Sequence, residues 1–387
     1  MERFRSLKGK GLLLILFLWF LWFMNIAMRT VLSPILPLLE DEFGVLHAQA
    51  AGIFTFIAFG YGTSVSFAGI FSAKFGCKKG VLFSLIVAFL AYTLIPFVKT
   101  FYLFYILGFV LGAAAGMYYP SVIPLITEYY NEGIWGKTIA IHESAASVGI
   151  FSAPFIALLV LSFFPWRSIF FIFGIVFIAC MIVFYIVTEE VTIGTKKGHS
   201  LKPLLKNRDL WFMGTLFTVG GAGNLGLYFI IPLYLVKELG LDVGFANTIF
   251  GLSRLGGVAV GISAGFLVDR FSLKKAMFLM LFLTGLFEML ITIESMAWMK
   301  VFLFLQASIN IGYFPVALVS ITKTFEREDR GPATGFIMTL GVICGIGLTP
   351  YLLGLSGDHL SFRFGIFILG ALTLLSSSLA LFLKKLP

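Results

Sequence analysis

The chain has 387 residues, of which 59% are hydrophobic and only 12% charged, with a formal net charge of +9. Soluble domains carry about 25% charged residues, so an ordinary soluble enzyme or binding module is excluded. The basic excess is not a nucleic-acid footprint either, because the Lys and Arg residues gather in alternate loops between apolar stretches.

Those stretches are long enough to cross a bilayer and follow one another almost without pause. They predict twelve helices, over about 11–37, 48–71, 80–98, 102–129, 136–163, 167–187, 210–236, 245–268, 276–297, 299–323, 332–355 and 363–383. Lone strands cannot satisfy their backbone in lipid, and no polar–apolar alternation suggests a barrel. The fold class is therefore an all-α membrane protein. The first stretch follows a basic flank, yet it is too long for a signal peptide, lacks a small-residue cleavage site and carries Arg29. Residues 189–209 form the one sizeable polar stretch. They divide the chain into an N-terminal bundle, 1–188, a linker, 189–209, and a C-terminal bundle, 210–387. With both termini cytoplasmic, the inner loops hold Lys74, Lys78, Lys79, Arg270, Lys274 and Lys275 among many basic residues. The outer loops hold only Lys99, Arg167, Lys237, Lys300 and Arg363. That bias predicts a multi-pass protein of the plasma (inner) membrane.

The two halves repeat one another. Gly69-Ile-Phe-Ser-Ala-Lys74 returns as Gly265-Phe-Leu-Val-Asp269-Arg270, an offset of 196 residues (265 − 69). Pro165-Trp166-Arg167 returns as Ser361-Phe362-Arg363, Tyr119-Pro120 as Phe314-Pro315, and Pro154 as Pro350. Duplication in so apolar a chain implies two similar bundles around a cavity, the plan of a secondary transporter.

Charges inside the helices mark the chemistry, because each costs roughly 3 kcal/mol on insertion scales. Helical rise places Arg29 about 12 Å and Arg254 about 14 Å below the outer surface. Each lies on a polar stripe. Asn25, Arg29 and Ser33 share one, and Asn247, Arg254 and Gly261 share another. Gln306, Asn310 and Tyr313 form a third, and Gly221, Asn224 and Tyr228 a fourth. Two guanidiniums at one depth suit a small anion, since each can grip a carboxylate through two parallel hydrogen bonds. Tyr61, Asn224, Asn310 and Tyr313 are expected to shape the same site. Tyr118 and Tyr119 either contact substrate or fill the core. Glu143, beside His142, is the candidate proton carrier. The repeat puts Glu288 on a peripheral helix, which predicts a packing or lipid-edge role.

Other chemistry is absent. Gly136-Lys137-Thr138 lacks the glycine of a phosphate loop, since Asn131 stands five residues before Gly136. Cys77, Cys180 and Cys344 have no metal-ligand spacing and predict no disulfide. No nucleophile–base pair appears, so an enzyme, a metal or a cofactor is not expected. A sensor or scaffold would leave both arginines unexplained.

The repeated loop resembles the signature of the major facilitator superfamily, Gly-x-x-x-Asp-Arg-x-Gly-x-Arg/Lys-Arg/Lys. The likeness extends over the whole chain and implies the major facilitator fold, two pseudo-symmetric six-helix bundles that alternate access. It implies gating roles for Gly69, Lys74, Gly76, Gly265, Asp269 and Arg270. The first copy departs from the pattern with Ala73 in place of the acid. Arg29 followed by Pro37, together with Gly60-Tyr61, Glu128 and Trp166-Arg167, is similar to the anion:cation symporter and organophosphate group, where such an arginine contacts the anion. Helix 7 has no Arg, which favours carboxylates over phosphate esters. Arg254 is similar to the arginine of oxalate:formate and monocarboxylate carriers. The resemblance thus implies a monomeric carrier importing a small organic anion with a proton. The alternative is a proton-driven drug or metabolite exporter. Gly149 and Pro154 loosely resemble an antiporter motif, but its full Gly-Pro-x-x-Gly-Gly pattern is absent.

Overall fold

The structure, a computed structural model, describes residues 4–191, 201–257, 260, 272–383 and 386. It is helical throughout these residues apart from short turns and one isolated bridge between Phe4 and Tyr130. In chain order the helices are α1 (Gly9–Thr30), α2 (Leu32–Phe43), α3 (His47–Phe75), α4 (Cys77–Leu94), α5 (Tyr102–Tyr129), α6 (Trp135–Leu161) and α7 (Arg167–Val187). They continue with α8 (Arg208–Gly221), α9 (Ile231–Leu233), α10 (Val243–Leu252), α11 (Leu273–Ile291), α12 (Met296–Thr324), α13 (Arg330–Leu340), α14 (Leu348–His359) and α15 (Phe362–Ser377).

Eight helical stretches among the described residues are long and apolar enough to cross a membrane, and two bent pairs bring these to ten. The other two expected spans fall where α10 runs on toward residues outside the description, and at α11, which carries Lys274, Lys275 and Glu288. Several spans exceed their predicted bounds. The first, α1 with α2, runs from Gly9 to Phe43 across Pro37. The seventh bends by 48° between Arg208–Gly226 and Ile231–Glu238. Two π-turns, Ala222–Gly226 and Tyr234–Glu238, flank the bend. The glycine run there lowers the cost of a bend, and Pro232 supplies no backbone donor.

Side-chain caps hold several helix starts. Asp242 accepts from Gly244 and Phe245 N at the start of α10 (2.8 and 3.1 Å), and Ser361 Oγ accepts from Phe364 N at α15 (3.0 Å). These bonds satisfy backbone donors that a helix start leaves without partners.

The chain divides into two compact units. The first comprises residues 1–35 and 56–196, the second residues 36–55 and 197–387. In the first unit α1 packs on α6, and α4 on both α5 and α7. Backbones approach closely where glycine allows it. A Cβ on Gly60 would lie 2.0 Å from Phe109 O, and one on Gly112 would lie 1.9 Å from Ile57 O. That contact presses α3 against α5 with no room for a methyl group. In the second unit α11 packs on α12 and α15, where Gly285 and Gly370 meet backbone to backbone.

The second unit also contains the C-terminal end of the first span and the start of the next. Asp358 of α14 accepts from His47 N (2.8 Å) and Ala48 N (2.9 Å), capping α3 from another helix. Glu40 binds His47 Nδ1 (2.7 Å) and Lys237 Nζ (3.3 Å), and Lys237 also pairs with Asp41. Phe54 stacks on Phe229 at 4.0 Å, and Thr55 Oγ1 donates to Gly347 O (2.7 Å).

Candidate substrate-binding site

In the first unit, Arg29 stands half-buried on α1. Its Nε and Nη2 donate to Asn25 O and Asn25 Oδ1, both at 3.3 Å. Its guanidinium lies 4.9 Å from the centre of the Tyr61 ring. No carboxylate among the described residues pairs with it. The Asn25–Arg29 spacing thus does what one helical turn permits, and Asn25 holds the arginine in place without neutralising it. Tyr61 is held by the tight packing of α3 on α5, since a Cβ on Gly116 would sit 2.5 Å from Tyr61 O.

The same unit builds a second polar chain. His142 is fully buried and binds Tyr118 Oη through Nε2 (3.3 Å) and Glu143 Oε1 through Nδ1 (3.2 Å). Neighbours on a helix ordinarily diverge, but here the ring turns back to its neighbour's carboxylate. Trp22 stacks on both Tyr118 and His142, at 5.6 and 5.7 Å, and fixes their planes. The Glu143 side chain keeps 40% of its surface open, so the chain runs from an accessible carboxylate to a buried tyrosine. Tyr119 also packs against Trp22, tilted, at 5.3 Å.

In the second unit, Arg254 sits in a turn just beyond α10 and is 2% exposed. Its guanidinium lies 4.8 Å from the Tyr228 ring and 5.5 Å from the Phe250 ring. Among the described residues Nε and Nη2 have no hydrogen-bond partner. A buried guanidinium with open donors and no acid is costly, and aromatic faces offset only part of that cost. Open guanidinium donors of this kind can take an anion. Asn224 lies half-buried on the π-turn Ala222–Gly226. Asn310 and Tyr313 are instead buried in the bundle. Asn310 donates to Gly220 O (3.2 Å), and Tyr313 packs among Phe217 and Phe314.

The lipid-edge expectation for Glu288 is corrected. Its side chain is fully buried and accepts from Gln306 Nε2 at 3.0 Å. Charge alone flagged this residue in the sequence. Its neighbours Gln306, Thr284 and Thr373 come from three helices, and no spacing along the chain announces that meeting.

Of the gating residues, Gly265, Asp269 and Arg270 lie outside the described residues, as does Gly261 of the polar stripe. The first copy of the loop is anchored in its own way. Gly76 adopts φ +103°, which disfavours any side chain. Glu190, beyond α7, accepts from Lys78 N (2.9 Å), Cys77 N donates to Val191 O (2.8 Å), and Lys78 Nζ donates to Tyr185 O (2.8 Å). An acid from the end of α7 thus holds the loop in which Ala73 replaces the signature acid. Lys74 is exposed beside Phe75, and Gly69 faces open space.

Comparison with known proteins agrees with this architecture. The sequence profile of the Major Facilitator Superfamily matches residues 18–264 and 229–387, and the chain belongs to that family. Its apolar helices and its family make it a multi-pass membrane protein. It is similar to the multidrug resistance protein MdtL of Shewanella oneidensis, at 24% identity over 65% of this chain and 64% of that one. It is likewise similar to the hexuronate transporter of Bacillus subtilis, at 24% identity over 67% and 65% of the two chains. The chain therefore spans just under two thirds of these two relatives' length. Protein TsgA of Salmonella paratyphi B is 23% identical over 82% of this chain and 81% of its own. Among solved structures, the fold matches a bacterial homologue of the human lysosomal transporter Spinster, with a TM-score of 0.81 at 14% identity over 98% and 97% of the chains. It also matches a D-xylose–proton symporter, with a TM-score of 0.78 at 16% identity over 98% of each chain.

Proposed function

We propose that this transporter carries a small organic anion, most simply a carboxylate such as a sugar acid, together with a proton. The observation that carries the reading is Arg254. It is nearly fully buried, pairs with no acid among the described residues, and keeps two donor atoms open. Arg29 supports it, since a second guanidinium is held by Asn25 and Tyr61 without being neutralised. In this reading each guanidinium is a carboxylate contact of its own unit, Arg29 beside Tyr61 in the first and Arg254 with Asn224 in the second. Asn310 and Tyr313 shape the second contact from behind through the glycine-rich π-turn. Glu143 takes the proton from water, and His142 relays it toward Tyr118. The carrier works as a monomer in the inner membrane with both termini cytoplasmic, an orientation that the basic residues of alternate loops favour.

The likeness to the hexuronate transporter favours the same substrate class. The likeness to MdtL favours a second reading, export of drugs or metabolites against protons. Thermal stabilisation of the purified protein by a panel of monocarboxylates, dicarboxylates, hexuronates and phosphate esters separates the two. A carboxylate hit is expected, and it should disappear in Arg29→Ala and in Arg254→Ala. Stabilisation by hydrophobic cations alone, unchanged in both variants, would overturn the anion reading.

A further inference from the structure

A second buried constellation lies in the second unit, apart from both arginines. Glu288 and Thr284 come from α11, Gln306 and Asn310 from α12, Thr373 from α15, and Gly223 from the π-turn after α8. All five side chains are 0–1% exposed. Gln306 Nε2 donates to Glu288 Oε1 (3.0 Å) and to Gly223 O (2.7 Å). Asn310 Nδ2 donates to Gly220 O (3.2 Å), and Thr373 lies against the Glu288 carboxyl. The fit at Gly223 is close. A Cβ there would fall 2.2 Å from Glu288 Oε1, 3.0 Å from Asn310 Nδ2 and 3.2 Å from Thr284 Cγ2.

The polar atoms of this cluster do not all find partners. Both N–H groups of Gln306 are committed, while among the described residues Glu288 Oε2, Gln306 Oε1, Asn310 Oδ1 and the Thr284 and Thr373 hydroxyls are buried without a hydrogen-bond partner. The groups facing Glu288 from the elements packed on it are Gly223, Gln306, Asn310 and Thr373, with Thr284 from its own helix. None is charged and none titrates in the ordinary range. No ion pair among the described residues includes Glu288. A bare carboxylate in such a place lacks both water and a cation. A proton on Oε2 removes the charge and turns that oxygen from acceptor into donor.

We propose that Glu288 is a proton-binding site of the C-terminal bundle, cradled by Gln306, Asn310 and Gly223. This deepens the transport reading and rests on it. The step is Glu288–COO⁻ + H⁺ → Glu288–COOH, with the proton taken from water on one side of the membrane and returned to water on the other. The π-turn gives it a link to substrate. Gly223 O holds Gln306, and the next residue, Asn224, is half-buried on the same turn. A shift of this turn alters the cradle around the carboxyl, and π-turns are places where a helix rearranges readily.

The test is an infrared pH titration of the full-length protein in lipid nanodiscs, following the C=O stretch of a protonated carboxylic acid. It needs no substrate, so its outcome is separate from that of the anion panel. The expected result is a protonated-acid band that declines reversibly as pH is raised, with helicity unchanged. The band should be lost in Glu288→Gln and kept in Glu143→Gln. Gln306→Ala gives a second handle should Glu288→Gln fold poorly. Losing a hydrogen bond to the carboxyl should move the midpoint by about one pH unit. Three results would overturn the site. These are no Glu288-dependent band at any pH, a band that never titrates while the fold persists, or a band removed by sodium chloride at constant pH, which would mark a metal-cation site instead.

Discussion

At the scale of single residues, the informative side chains are those that the membrane should have excluded. Arg29 and Arg254 stand out in the sequence because a guanidinium inside an apolar helix has few structural uses. Glu288 stands out for the same reason, yet its meaning depends on three helices meeting at Gly223, which linear order does not encode. That meeting makes a sharp prediction. Gly223→Ala puts a methyl group 2.2 Å from the Glu288 carboxyl, which Gln306 holds in place. It should lower stability by about 1–3 kcal/mol, read as an earlier thermal transition in detergent. Gly69→Ala, which meets open space, should leave the transition unmoved. Equal stability of the two variants would show that the Glu288 cradle is looser than described. The Ala73 departure has a neighbour at this scale too: Glu190, from outside the motif, accepts from Lys78 N in the same loop.

At the scale of elements, apolar length located the spans but not their internal form. Pro37, Pro120, Pro124, Pro154 and Pro315 lie inside helices that continue through them. The seventh span is broken into α8, two π-turns and α9, where the sequence suggests one helix with a glycine run. Hydrophobic content sets where a helix crosses, whereas the backbone shape is set by which neighbours replace the hydrogen bonds that proline and glycine disturb. The α3–α5 contact is the clearest case of packing that fixes a functional group, because Gly60, Gly112 and Gly116 set where Tyr61 stands. Gly112→Val should push α3 away, cost about 1–3 kcal/mol by overpacking, and weaken anion-dependent stabilisation through the loss of the Tyr61–Arg29 contact. A variant that binds anion as wild type would remove Tyr61 from the site. Boundaries also moved at this scale. Residues 36–55 belong by sequence to the first repeat, but Asp358, Lys237 and Phe229 bind them into the second unit.

At the scale of the whole molecule, duplication carries the most. Landmarks matched at offsets of 195 and 196 residues point to a doubled helical bundle, and family membership and fold agree with it. Substrate identity was not legible in the same way, because relatives named for drug resistance and for hexuronate transport share this architecture at similar identity. Specificity resides in a few side chains on a common scaffold. The most direct test of the central claim is uptake of labelled hexuronate and small monocarboxylates into proteoliposomes, with and without an inwardly directed proton gradient. The account predicts accumulation of at least one of these carboxylates that requires the gradient and is abolished in Arg254→Ala protein reconstituted to the same level. Gradient-driven movement of hydrophobic cations with no carboxylate flux, equal in wild type and Arg254→Ala, would contradict it.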